Sequence, residues 1–139
     1  MKQLRIFMLL LPLAVLAADV HPTSTSDRRI EGAWYGKDPR DQSCLHLQIT
    51  KVPRAEEKVY SLVGSDRDAR SWCQGASRMQ GIGVMQPDGL LIASLVFWCM
   101  PDAAELEYFH TDALRYDPAT DTIDDDEGVT YHRQVLLSR

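Results

Sequence analysis

Hydrophobic and polar positions alternate along most of this chain, and they do so with period two. In Cys44 to Val52, Leu45, Leu47 and Ile49 fall on one face and His46, Gln48 and Thr50 on the other, as successive side chains of a strand must. Val59 to Ser65 repeats the pattern, with Tyr60 and Leu62 on one side and Val59 and Val63 on the other. Gly32-Ala33-Trp34-Tyr35-Gly36 opens the series, Glu105 to Tyr116 alternates again, and Gly128 to Val135 closes it. Met79 to Met85 is spaced by Gly81 and Gly83, which suits a strand that bends or is closely approached by another backbone. Leu90 to Met100 is the most apolar of these runs and predicts a strand covered on both faces.

Between these runs lie turn signals. Gln86-Pro87-Asp88-Gly89 is one with a mechanism, since Pro presets φ and Gly accepts a positive φ. Pro53 to Lys58, Asp66 to Arg70, Pro101 to Ala104 and Asp117 to Asp121 are charged or Pro-containing and predict further turns, with a short segment around Trp72 and Cys73. No stretch of helical length carries a 3.6 period, and Asp102 to Glu107 supports at most a helical turn. Seven or eight short strands joined by hairpin-sized turns predict an all-β fold. The expectation is a small antiparallel meander closed as a barrel of about eight strands, a sandwich being the alternative.

The chain begins differently. Residues 1–18 read as a signal peptide: Lys2 and Arg5 start it, Ile6 to Leu16 is apolar apart from Pro12, and small residues follow at Ala17 and Ala18. That apolar stretch is too short for the roughly 20 residues of a spanning helix. Residues 19–29, rich in Ser, Thr, Asp and Arg, predict a flexible leader, and 30–139 a single barrel domain. The expected location is therefore secreted or periplasmic.

Cleavage leaves 13 basic against 20 acidic side chains. A surface this acidic excludes nucleic acid and anionic membrane as partners, because both demand a basic face. The chain contains no Asn, so no N-glycosylation acceptor exists. Three cysteines, Cys44, Cys73 and Cys99, predict one disulfide and one leftover thiol in an oxidising compartment. All three pairings are open at this level.

Gly32-Ala33-Trp34 resembles the G-x-W opening of the lipocalin and avidin-like barrels, the calycin group, and Arg133 stands where lipocalins place a basic residue over that Trp. The resemblance implies structural roles for Trp34 and Arg133. A second resemblance is to a set of uncharacterised small secreted bacterial proteins. It rests on the Tyr116-Asp117-Pro118-Ala119-Thr120-Asp121-Thr122-Ile123 segment and on Gly128-Val129-Thr130-Tyr131-His132-Arg133. It implies a Cys73–Cys99 disulfide and brings no activity. A weaker resemblance is to secreted lipocalin-like metalloprotease inhibitors, with Cys44 and Cys73 in the cysteine places and Pro87-Asp88-Gly89-Leu90 echoing a later turn. It implies the alternative Cys44–Cys73 pairing and a leader that inserts into a protease.

The strand from Glu105 carries the candidate chemistry. Leu106, Tyr108, His110, Asp112, Leu114 and Tyr116 share one face. If it points inward, His110 and Asp112 are polar groups in an apolar lumen and need each other, water or a ligand, since an unpaired buried polar group costs several kcal/mol. The opposite phase puts Phe109, Thr111 and Ala113 inside. Trp72, Trp98, Tyr108, His110 and Asp112 are the candidate ligand-binding residues. The acidic run Asp121 to Glu127 reads as a solvated hairpin rim, because Asp117 to Gly128 lacks the closing Glu of a calcium loop. The four histidines show no paired short spacing, so no metal site is expected. No nucleophile elbow and no phosphate-binding glycine loop is present. The expected function is non-catalytic binding of a small apolar molecule in the barrel mouth, without a cofactor. The alternative is a protein-interaction module, such as a protease inhibitor, acting through its leader and rim loops.

Overall fold

A computed structural model describes residues 30–55, 58–100 and 107–134 of the chain. The signal-peptide and leader expectations, and the segment 101–106, lie outside the described residues. Eight strands follow in order: β1 (Gly32–Lys37), β2 (Cys44–Lys51), β3 (Val59–Ala69), β4 (Gly75–Met85), β5 (Leu90–Cys99), β6 (Glu107–Asp117), β7 (Thr122–Asp124) and β8 (Thr130–Arg133). Each pairs antiparallel with the next, and β8 returns to β1 through Trp34↔Arg133 and Tyr35↔His132, closing the barrel.

Three boundaries differ from the sequence reading. Asp66 to Arg70 was expected to turn, yet β3 runs on to Ala69 with a register irregularity between Asp66 and Ala69. The acid is tolerated because it is satisfied: buried Asp66 accepts a 2.6 Å bond from Ser43 Oγ and a 2.9 Å bond from the Asp68 amide. Strand β4 begins at Gly75 rather than at Met79. Strand β7, three residues long, lies in a stretch read as loop; so short a strand carries no measurable period.

Inward-facing residues form one core that includes Trp34, Ile49, Tyr60, Leu62, Leu91, Leu114 and Ile123, all fully buried. Gly81 faces the same interior. A Cβ there would run into the Ser94 carbonyl oxygen and the Leu95 side chain, so the strand takes Gly because β5 approaches too closely for anything larger.

Because strands alternate in direction, the β1–β2, β3–β4 and β7–β8 connections gather at one end, together with the end of β5 and the start of β6. The other end is shut. There Trp34 donates from Nε1 to the Ile30 carbonyl at 2.9 Å, and the Arg133 guanidinium lies 4.2 Å from the Trp34 ring centroid. Arg133 also donates to the Glu31 carbonyl at 2.8 Å and pairs with Asp121, while Tyr116 meets Trp34 edge-on at 6.0 Å. Cation–π contact, ion pair and backbone bond together make this plug a packing feature.

The disulfide joins Cys73 to Cys99, so the Cys44–Cys73 alternative is excluded. Cys44 is a free, half-buried thiol whose Sγ lies 3.4 Å from the Tyr35 hydroxyl. A disulfide of this kind is compatible with an extracellular or periplasmic location.

Candidate ligand cavity

The end opposite the Trp34 plug opens into a cavity of about 250 Å³. Its phase is set by β6. Tyr108, His110 and Asp112 line the cavity, Leu114 below them is buried, and Phe109, 80% exposed, borders the cavity at its mouth. The inward alternative for that strand is the one realised. Four of the five candidate binding residues, Trp72, Tyr108, His110 and Asp112, come together here. Trp98 does not: it alternates with Phe97, and it is Phe97 that lines the cavity.

The apolar wall has a rigid part. Trp72, held next to Cys73 and its disulfide, packs edge-on against Phe97 at 5.2 Å and Tyr108 at 6.1 Å. Phe97 in turn meets His110 at 6.3 Å. Such edge-to-face pairs hold ring orientation beyond what burial alone supplies. Leu45, Met79 and Val129 complete the wall from β2, β4 and the start of the last hairpin arm.

The polar side is built by chain segments distant in sequence. His110 Nε2 lies 2.9 Å from Asp112 Oδ1 and 3.2 Å from Glu127 Oε1. The other oxygen of Glu127 accepts a 2.7 Å bond from Arg40 Nη2, which also pairs with buried Asp38 at 2.9 Å. Asp125 accepts amide bonds from Glu127 and Val129 at 3.0 and 2.7 Å, fixing the tip of the β7–β8 turn beneath the cavity rim. This turn lies in the acidic run read as a solvated rim. Its outer residue Asp126 is exposed, but Asp125 and Glu127 line the cavity.

Burial governs the electrostatics. It pushes the Asp112 carboxyl up to about 6; His110 opposes that rise, and Asp125, Glu127 and Asp126 add to it. Burial likewise raises Asp125, against the two amide bonds it accepts, and holds the Tyr131 phenol well above its ordinary value. Arg40 is raised chiefly by its bonds to Asp38. The cavity thus combines an aromatic wall with two carboxyls, Asp112 and Asp125, that burial pushes above the ordinary carboxylate range.

Ligand atoms of His110, Asp112 and Glu127 lie within 4.8 Å of one another, near enough to share one cation. Histidine spacing along the chain gave no sign of this, because Glu127 reaches the site from a different hairpin. Arg40, Asp38, Met79 and Tyr131 were missed for the same reason: nothing local distinguishes them from other strand-end residues. Comparison with protein-family models, with curated proteins and with solved structures finds no match to this chain.

Proposed function

We propose that this protein is an exported, non-catalytic carrier that holds a small, largely apolar molecule in the mouth of a calycin-type barrel. One observation carries the reading: a closed barrel plugged at one end by Trp34 and Arg133 keeps a cavity of about 250 Å³ at the other, walled by Trp72, Phe97, Tyr108 and Met79. Sites of this kind, concave and mostly apolar with a few convergent polar groups, are where small molecules bind. The single disulfide and the signal-like first 18 residues support export.

Native mass spectrometry of the exported protein tests this directly. A recurring excess mass that leaves on denaturation is the expected result. An empty chain that also fails to take up any small aromatic compound in titration would remove the carrier reading.

A further inference from the structure

We infer that the cavity selects cationic ligands, specifically small amines with one aromatic ring on a short alkyl chain. The selectivity rests on the apolar cavity proposed above and adds the charge of its ligand. Size sets the first limit. About 250 Å³ exceeds the roughly 150 Å³ that an apolar cavity needs to take up benzene, and falls just below the range of about 300–1,000 Å³ for drug-sized ligands. One ring with a short chain fits between those limits.

Charge sets the second. Among the described residues, Asp38, Asp112, Asp125 and Glu127 line the cavity, against Arg40 as the one guanidinium. Arg40 is engaged by Asp38 and by one oxygen of Glu127. Asp112 and the other oxygen of Glu127 converge instead on His110 Nε2, a single nitrogen that offers at most one proton to two carboxylates. An ammonium placed there supplies three donors and a full charge. His110, whose side chain is 43% exposed, must give up these contacts and its packing on Phe97 and swing outward as the ammonium enters.

The aromatic wall supplies the third limit. Trp72, Phe97 and Tyr108 pair edge to face and line the same space, so an occupant is bordered by aromatic rings and gains wherever it reaches a ring face. Faces of this kind attract cations and stack with a ligand ring. A carboxylate-bearing ligand meets the opposite situation, like charge in a partly desolvated site.

The experiment uses the exported protein and three matched probes: 2-phenylethylamine, 2-phenylethanol and phenylacetate. Each is titrated by calorimetry at pH 8, above the value of about 6 at which Asp112 ionises. The amine is expected to bind at least about tenfold tighter than the alcohol, with the anion weakest. Asp112→Asn is expected to bring the affinity for the amine down to the level of the alcohol; a circular dichroism spectrum matching the parent's shows that the variant is folded. Equal affinities for amine and alcohol would overturn the charge selection and leave the apolar carrier standing. No binding of any probe at millimolar concentration would overturn both. A zinc titration closes the set. One zinc ion bound per chain, lost in Asp112→Asn, with the amine not bound, would assign the carboxylates to a metal and overturn the amine inference.

Discussion

Asp112 is the residue where burial and charge conflict most sharply. Its carboxyl is pushed up to about 6 chiefly by burial, against about 3.9 for an unfolded aspartate. A carboxyl raised on folding binds more protons in the native state between those two values. It therefore costs nothing below about pH 4, destabilises progressively as pH rises toward 6, and keeps that penalty above it. Asp112→Asn removes the penalty. The variant is expected to be more stable than the parent at pH 8 by about 1–2 kcal/mol, after discounting for solvent and for the lost His110 contact, and to match it near pH 3.5. Urea denaturation at the two pH values checks this. A variant less stable at pH 8 would mean that the 2.9 Å contact to His110 outweighs the cost of burial. Stability gained together with loss of amine binding is the pattern of a site kept for function.

At the scale of elements, the β3–β4 connection is the one that positions the cavity wall. The Cys73–Cys99 bridge spans 26 residues, and the chain-entropy relation gives a loop of that length a stabilisation of about 3.5 kcal/mol. Replacing both cysteines by Ala should lower the denaturation midpoint accordingly. It should also release Trp72 from Phe97 and Tyr108, shown by a red-shifted and more quenchable tryptophan emission before any global unfolding. An unchanged midpoint would show that strand pairing alone holds the connection. On the adjoining strand, Gly81→Ala forces a methyl against the Ser94 carbonyl, and overpacking of this kind costs about 1–3 kcal/mol. Thermal melts of this variant beside Gly89→Ala separate crowding from backbone freedom, because Gly89 (φ 83°) has open space around its Cβ position. A Gly81→Ala melt equal to the parent's would show that β4 and β5 can part without penalty.

Across the whole molecule, closure depends on the two ends of the described chain. β1 meets β8 through Trp34↔Arg133, and Arg133 seals the plug over Trp34. Neither terminal strand can leave without opening the barrel and exposing the core around Trp34. Circular dichroism and tryptophan fluorescence should therefore report one coincident unfolding transition. Folding should fall in the slow range, about milliseconds to seconds, because pairing between the first and last strands must close a long loop before it is rewarded. Separate transitions for the two signals would indicate that the barrel opens at the β1–β8 seam first. This topology also explains the shape of the candidate site. A meander alternates its connections between two ends, so one end is free to be plugged while the described β1–β2, β3–β4 and β7–β8 connections build the rim of the other.

Local pattern alone determined the all-β class, the positions of most strands and a count of seven or eight, because a strand shows its faces in a period of two residues. The β6 face bearing Tyr108, His110, Asp112 and Leu114 was legible in the same way. Its direction was not, since either phase of an alternating strand can face a core until its neighbours are known. Cysteine count required a disulfide but could not choose its partners; only the placing of the β3–β4 connection against the end of β5 decided for Cys73 and Cys99. The buried end of β3 was misread because Asp66 is paired by Ser43 from another hairpin. The cavity's polar side follows the same rule. Arg40 and Glu127, 87 residues apart in the chain and joined by a 2.7 Å hydrogen bond, meet because barrel closure brings the β1–β2 and β7–β8 connections to one rim, and no periodicity along the chain encodes that meeting.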